Sequence, residues 1–147
     1  MIITKTIEWD MGHRVPNHKS KCRNLHWHRY KALISLHGDI VMEKGVSDEW
    51  MVIDFSDIKE ISKTWIDDHL DHGYMFQTWD EIGMLAFELG QKTIEVPFVP
   101  TAENIAKFLF DRLDPLFEDV YKTDLKLFSI ELWETPNGKV IYSPYIN

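Results

Sequence analysis

The segment HWHRYKALISLH, residues 26–37, alternates so that His26, His28 and the apolar residues after them share one parity. Such alternation is typical of a β-strand with one buried face. Residues 2–15 alternate in the same way, and the polar loop PNHKSKCRNL, residues 16–25, separates the two segments. The pattern predicts two consecutive strands that pair antiparallel across a long connection.

Three helices are predicted downstream of these strands. Residues 56–70 carry apolar side chains every three or four positions, and residues 80–91 do so less regularly. Residues 101–114 are predicted as a third helix that has Thr101 at its N-cap. Pro115 is expected to end or kink that helix, because proline lacks the backbone N–H and its ring clashes with the preceding turn.

Two further strands are predicted at the C-terminal end, over residues 125–134 and 139–146, joined by the turn residues Thr-Pro-Asn-Gly at 135–138. The element order is therefore strand, strand, helix, shorter helix, helix, strand, strand. This order predicts a single α+β domain over residues 1–147, in which an antiparallel sheet of two hairpins carries two to three helices on one face.

Composition indicates a globular protein and excludes several classes. The chain has 147 residues, of which 44% are hydrophobic and 27% charged, with a formal net charge of −8. This acidity argues against a nucleic-acid or anionic-membrane surface. The N-terminus lacks the pattern of a signal peptide, and no apolar run is long enough to span a membrane. The single cysteine, Cys22, excludes an internal disulfide framework and predicts a reducing compartment, the cytoplasm.

Charge is distributed unevenly along the chain. Residues 11–38 contain six Lys or Arg residues and no Asp or Glu, whereas the remaining residues carry 10 basic and 24 acidic side chains. Five of the seven histidines and Cys22 lie in the same window. A basic, histidine-rich segment in an acidic protein indicates a local anion or metal site. The alternative is chance clustering on a solvated loop.

Three histidines form a candidate metal centre. His26 and His28 are two residues apart on a predicted strand, so both rings point to one side. His13 is in phase with the apolar face of the preceding strand, and pairing of the strands brings the three imidazoles together. Three histidines with an open fourth position are typical of catalytic zinc. The alternative is three partly buried histidines that bond backbone carbonyls.

Four other residues are candidates for chemistry. Cys22 is a candidate base or nucleophile, a fourth metal ligand, or an inert buried thiol. Asp71 beside His72 could orient that ring for proton transfer, although such a dipeptide also occurs in ordinary loops, and spacing alone does not exclude His69. Glu134, at the end of an apolar strand face, could accept two N–H bonds from a guanidine-like ring edge or could be an exposed strand end.

These residues occur in an order that resembles the 6-pyruvoyl-tetrahydropterin synthase family, and most closely its bacterial 6-carboxy-tetrahydropterin synthase branch. Three residues separate Cys22 from His26, as in that branch. The resemblance covers nearly the whole chain. The motifs that carry it are His13, Cys22-x-x-x-His26-x-His28, Val52-Ile53-Asp54-Phe55, Leu70-Asp71-His72, Pro100-Thr101-x-Glu103-Asn104 and Glu134-Thr135.

The resemblance implies the tunnelling fold, in which subunits form a barrel, commonly as hexamers with active sites at subunit interfaces. It also implies the roles of the candidate residues. The zinc ligands would be His13, His26 and His28, the catalytic residues Cys22, Asp71 and His72, and the pterin-binding residues Glu134 and Thr101.

The implied reaction is the conversion of 7,8-dihydroneopterin triphosphate to 6-carboxy-5,6,7,8-tetrahydropterin, acetaldehyde and triphosphate, a step towards queuosine and other 7-deazaguanines. In that reaction Zn²⁺ polarises the side-chain oxygens of the substrate, and the Cys22 thiolate removes a proton from a side-chain carbon. The basic segment supplies a reason for a triphosphate to bind an acidic protein. A close alternative is the 6-pyruvoyl product from the same substrate.

Three features depart from the family pattern. Trp27 replaces the usual glycine between the two histidines, and on a strand it is expected to point away from them. Gly12 stands where the family favours alanine, and residues 73–99 form a longer insertion. Trp27 and the insertion motivate one alternative, a non-catalytic pterin- or metal-binding relative. A separate alternative is a structural zinc module made by Cys22 and the three histidines.

Overall fold

Six strands form one sheet, and three α-helices pack against it, in the part of the chain that the structure describes. This structure is a computed structural model that describes residues 1–120 and 124–146. No helix in these ranges combines the length and the apolar character needed to cross a membrane. The elements are β1 (Ile2–His13), a 3-10 turn (Lys21–Arg23), β2 (His26–His37), α1 (Phe55–His69), β3 (Gly73–Gln77), α2 (Glu81–Glu88), β4 (Thr93–Val96), α3 (Ala102–Val120), β5 (Lys126–Thr135) and β6 (Gly138–Tyr142).

The sheet has the strand order β4-β3-β1-β2-β5-β6. Strands β1 and β2 pair antiparallel from Ile2 opposite His37 to His13 opposite His26, and β5 pairs antiparallel with β2 and β6. The predicted α+β class with two hairpins is confirmed. Strands β3 and β4, which were not predicted, pair parallel with each other, and β3 pairs parallel with β1. The sheet is therefore mixed, and residues 73–96 extend it at the β1 edge.

One face of the sheet is covered by α1 and α3, and the hydrophobic core lies between these helices and the strands. Asp54 caps α1 by accepting a hydrogen bond from the backbone N–H of Ser56 (2.7 Å). Burial of these apolar side chains is the main favourable contribution to folding. The largest fully buried residues on the strands and helices of this core are Trp9, Met11, Tyr30, Ile34, Leu36, Ile58, Ile66, Met75, Ile105 and Phe117.

Helix α3 continues through Pro115 to Val120, so the prediction that the helix covers residues 101–114 placed its end too early. Pro115 cannot donate to the carbonyl of Asp111, so one helical hydrogen bond is lost. The apolar face continues beyond the proline, since Leu113 and Phe117 are both fully buried. Burial of Phe117 stabilises the helix by about 2 kcal/mol, which offsets much of the cost of the proline.

Helix α2 packs on the opposite face of the sheet from α1 and α3. Met75 belongs to the core under those two helices, so its neighbour Phe76 points to the other side. Gly83 of α2 lies directly against Phe76, and a Cβ atom at position 83 would be 1.9 Å from the Phe76 Cγ atom. Close approach of α2 to β3 therefore requires glycine at position 83.

We predict that Gly83→Ala lowers the free energy of unfolding by about 1–3 kcal/mol, because the added methyl group forces α2 away from Phe76. Chemical denaturation measures the change. Glu88→Ala, an exposed position on the same helix, is the matched control and should change stability by less than about 0.5 kcal/mol. Equal stability of Gly83→Ala and the unmodified protein would contradict the close packing of α2 on Phe76.

Candidate active site

Three histidines converge at the end of the β1–β2 hairpin that lies under the α3 N-terminus. In the strand register His13 is opposite His26 and Met11 is opposite His28, so all three rings lie on the core side of the sheet. Their nitrogen ligand atoms lie within 4.8 Å of one another. The ring centroids are 4.5 Å apart for His13 and His26, 5.1 Å for His13 and His28, and 4.8 Å for His26 and His28.

Backbone carbonyls hold two of these rings in the orientation that a metal ligand needs. The Nδ1 atoms of His13 and His26 lie 2.7 Å from the carbonyl oxygens of Pro100 and Asn24. If each Nδ1 donates its hydrogen, the lone pair is on Nε2. The Nε2 atom of His13 is buried and has no hydrogen-bond partner. A carbonyl bond alone therefore does not satisfy His13, and three imidazole donors fit a zinc ion.

Burial keeps His13 and His28 neutral. The pKa of His13 falls from 6.5 to about 4, mainly because of burial and with smaller contributions from His26 and His28, while the bond to Pro100 acts in the opposite direction. Burial and the neighbouring His26 also lower the pKa of His28. At neutral pH both rings thus carry the lone pair that a metal requires.

The same shift predicts acid sensitivity of the metal-free protein. Because the unfolded chain binds a proton at His13 more readily than the folded chain, this contribution to stability is present above pH 6.5 and is lost as the pH falls towards 4. The expected loss is about 3 kcal/mol, measured by denaturation of the chelator-treated protein at both pH values. His13→Asn should reduce this pH dependence, and an unchanged dependence would contradict the assignment.

Glu134 and Tyr30 line the edge of the cluster. The Oε1 atom of Glu134 lies 3.5 Å from His13 Nε2 and accepts a hydrogen bond from the Tyr30 hydroxyl (3.4 Å). Burial raises the pKa of Glu134, while the bond from Tyr30 acts in the opposite direction. Tyr30 was not predicted as a site residue, although it shares the parity of His26 and His28 on β2. A carboxylate that is oriented by such a hydrogen bond can accept two hydrogen bonds from paired N–H groups.

Thr101 lies at the start of α3, next to the carbonyl that holds His13. Its Oγ1 atom accepts a hydrogen bond from the backbone N–H of Asn104 (3.4 Å), so it caps the helix as predicted. Because the Pro100 carbonyl oxygen bonds His13, the peptide from Pro100 to Thr101 borders the histidine cluster. This contact places Thr101 at the rim of the candidate site.

Cys22 lies in the 3-10 turn Lys21–Arg23 and is partly buried. Its carbonyl oxygen accepts a hydrogen bond from the backbone N–H of Val15 (2.8 Å), which ties the turn to the end of β1. Within residues 1–120 and 124–146, the group that could hold a metal consists of the three histidines and does not include Cys22. The site therefore keeps an open position for a ligand.

Asp71 and His72, which follow α1, form a hydrogen-bonded pair. The Asp71 Oδ2 atom lies 2.8 Å from His72 Nδ1, and Asp71 Oδ1 accepts a bond from the backbone N–H of Asp10 (3.0 Å). The backbone N–H of His72 in turn donates to the Asp10 carbonyl (2.8 Å). His72 has a φ angle of 59°, a left-handed conformation that is rare outside glycine and that clusters at functional sites.

The Asp71–His72 pair and the histidine cluster lie on opposite faces of the sheet. Trp27 points away from His26 and His28, as predicted, and packs over Gly12, where an added Cβ would be 2.9 Å from the indole ring. His72 lines a groove with Trp27 and Tyr74 on that outer face. The side chain of His72 is 77% exposed there. One chain therefore does not bring the pair and the cluster into one pocket.

His69 belongs to neither group. It lies in the last turn of α1, where its Nδ1 atom is 2.8 Å from the Trp65 carbonyl oxygen and its ring stacks on Trp65 at 4.6 Å. These contacts account for its position within the helix. His69 is thus a surface residue of α1 rather than a member of the histidine cluster.

Part of the basic segment has partners within the chain. Arg14 pairs with Asp80, Arg29 pairs with Asp10, and the Lys31 ammonium group lies over the Trp133 ring at 4.6 Å. These contacts give three of the six basic side chains a structural role. The local excess of positive charge therefore does not by itself identify an anion site.

Comparison with known proteins gives consistent matches along the chain. Residues 2–144 match the family model described as 6-pyruvoyl tetrahydropterin synthase. Two relatives named 6-carboxy-5,6,7,8-tetrahydropterin synthase, from Haemophilus influenzae and Rickettsia bellii, are 41% and 40% identical. They align with 92% and 91% of this chain and with 94% of their own lengths.

Solved structures show the same fold. An uncharacterized protein from Wolinella succinogenes superposes with a TM-score of 0.74 at 23% identity, over 98% of this chain and 99% of its own. The 6-pyruvoyl tetrahydropterin synthase of Plasmodium vivax superposes with a TM-score of 0.66 at 17% identity, over 99% of both chains. The expected tunnelling fold of the subunit is thereby confirmed.

Proposed function

Because the chain belongs to the 6-pyruvoyl tetrahydropterin synthase family and is an enzyme, we propose that it is a zinc-dependent lyase with a pterin substrate. The proposed reaction converts 7,8-dihydroneopterin triphosphate and water to 6-carboxy-5,6,7,8-tetrahydropterin, acetaldehyde and triphosphate. The observation that carries the proposal is the cluster of three histidines in which the buried Nε2 atom of His13 has no hydrogen-bond partner. The two relatives of about 40% identity, which are named 6-carboxy-5,6,7,8-tetrahydropterin synthase, support the proposal.

The metal would be held by His13, His26 and His28, with a fourth position left for the substrate. Zinc bound there would supply Lewis acidity that lowers the pKa of the substrate's side-chain hydroxyl groups. The hydrogen bonds from His13 to Pro100 and from His26 to Asn24 would keep both rings aimed at the metal.

Glu134 would anchor the pterin ring beside the metal. Its carboxylate would accept two N–H bonds from the guanidine-like edge of the ring, the geometry that favours a bidentate pair. The Tyr30 hydroxyl would hold the carboxylate in place, and Thr101 would line the pocket at the α3 N-terminus. These contacts would fix the side chain of the substrate over the histidines.

Proton transfer would be divided between Cys22 and the Asp71–His72 pair. The Cys22 thiolate would remove a proton from a side-chain carbon, and His72, oriented by Asp71, would carry protons as triphosphate and acetaldehyde leave. Because the pair faces away from the cluster of its own chain, a second copy would supply Asp71 and His72 to each site. We propose a homohexamer in the cytoplasm that acts in 7-deazaguanine biosynthesis.

Mass spectrometry of the products tests the proposal. Zinc-loaded protein incubated with 7,8-dihydroneopterin triphosphate is expected to release the 6-carboxy product and acetaldehyde. A 6-pyruvoyl product would retain the metal site and the family but would contradict the branch. Unchanged substrate, in the presence of bound zinc, would contradict the lyase and favour a pterin-binding relative.

A further inference from the structure

Asp80 connects α2 to the end of β1. Its side chain is only 2% exposed, and both of its carboxylate oxygens accept from the Arg14 Nε atom, at 3.0 and 2.9 Å. Asp80 also caps α2, because Oδ1 accepts from the backbone N–H of Ile82 (3.3 Å). A buried carboxylate that holds a planar guanidinium through paired bonds fixes the direction of that side chain.

Arg14 extends this link to the turn that contains Cys22. Its Nη1 atom donates to the carbonyl oxygen of Arg23 (3.2 Å), the residue after Cys22. The carbonyl of Cys22 itself is bonded by Val15 N–H. The turn is therefore held at the carbonyl oxygens of Cys22 and Arg23, and the second of these bonds comes from a side chain whose orientation depends on Asp80.

Lys92 connects the segment before β4 to the Asp71–His72 pair. Its Nζ atom donates to the carbonyl oxygens of Asp67 (2.7 Å) and Asp71 (2.6 Å) at the end of α1. Cations stabilise helix ends in this position, since the last carbonyls lack helical partners. The Asp71 carbonyl belongs to the peptide bond that leads into His72, which adopts the left-handed φ of 59°.

We propose that the β3–α2–β4 segment, residues 73–96, positions both proton-transfer groups of the reaction. Asp80 fixes the Cys22 turn through Arg14, and Lys92 fixes the Asp71–His72 pair. This inference rests on the proposed function for the roles of Cys22 and His72. Within it, Arg14, Asp80 and Lys92 are positioning residues that act through their neighbours and do not contact the substrate.

Asp80→Asn tests the first contact. Asparagine still caps α2 but lacks the charge that orients Arg14. We expect kcat to fall on the order of 10- to 100-fold with little change in KM, because the base is displaced and substrate binding is not. The alkylation rate of Cys22 by iodoacetamide should change several-fold, since it depends on the environment of the thiol. Unchanged kcat and unchanged alkylation would overturn this role.

Lys92→Met tests the second contact. Methionine keeps the apolar stem and loses the three donors. We expect a similar fall in kcat and a displaced pH profile of kcat, with most of the activity regained in Lys92→Arg. Lys107→Met, which breaks an exposed pair with Asp111 on α3, is the matched control and should behave as the unmodified protein. An unchanged pH profile, or a loss that arginine does not rescue, would overturn this role.

Failure of the inference and failure of the proposed function are distinguishable. If the unmodified enzyme is active and the variants keep its kcat, pH profile and Cys22 reactivity, the positioning role is wrong and the function stands. If the unmodified protein does not turn over the substrate, the function is wrong. Cys22 alkylation and the NMR signals of the His72 ring nitrogens then decide whether Asp80 and Lys92 position these groups.

Discussion

Replacement of His26 by alanine is expected to remove bound zinc and to lower kcat/KM by a factor on the order of 10³. The variant retains only His13 and His28 of the three candidate ligands. Two imidazoles bind zinc more weakly than three. Without the metal, the substrate hydroxyl groups would lose the proposed Lewis acid. Such a metal contributes several kcal/mol to stabilisation of a transition state, which corresponds to this factor. Zinc per chain after dialysis and kcat/KM with 7,8-dihydroneopterin triphosphate measure the two effects.

His69→Ala is the matched control for this experiment. His69 is also a histidine beside an aromatic ring, but it lies on α1 and is not part of the cluster. The His69→Ala variant should retain zinc and activity. Circular dichroism verifies that both variants fold. Full zinc content and activity in His26→Ala would show that the cluster is not the metal centre. Loss of zinc together with full activity would show that the reaction does not need it.

The elements that could be predicted from the sequence are those with a regular apolar pattern. Strands β1 and β2 alternate over 12 residues each, and α1 and α3 have clear helical spacing. Strands β3 and β4 have only five and four residues, and the first four residues of β3 are all buried. A short strand that is covered on both faces has no alternation to detect. The end of α3 was also misplaced, because the apolar face continues beyond Pro115 and burial of Phe117 offsets much of the cost of the proline.

The candidate site was predictable where it depends on strand register and not where it depends on distant contacts. Pairing of two adjacent strands is enough to bring His13 to His26 and His28. The face on which His72 opens depends on the pairing of β3 with β1, which the sequence pattern does not reveal. Arg14 and Asp80 are 66 positions apart, and neither residue has a local signal for its partner.

The separation of the two half-sites predicts that two inactive variants restore each other. Cys22→Ala and His72→Ala should each lower kcat at least about 100-fold, because each removes a proton-transfer group. If each site combines the Cys22 half of one copy with the His72 half of another, random subunit exchange leaves both halves intact in about one quarter of the sites. Mixed, refolded and zinc-loaded protein should therefore regain about a quarter of the unmodified activity.

A mixture of His72→Ala with Asp71→Ala is the control, because both changes lie in the same half-site. Asp71 orients His72 within one chain through the 2.8 Å contact, so exchange of subunits cannot rebuild an intact pair. This mixture should stay near the activity of the separate variants. Recovery there would contradict the action of Asp71 on His72 within one chain. No recovery with Cys22→Ala and His72→Ala, after exchange is verified by native mass spectrometry, would place both proton-transfer groups in one chain. Recovery of activity in the first mixture alone would instead establish that the outer groove around His72 faces the histidine cluster of a second copy.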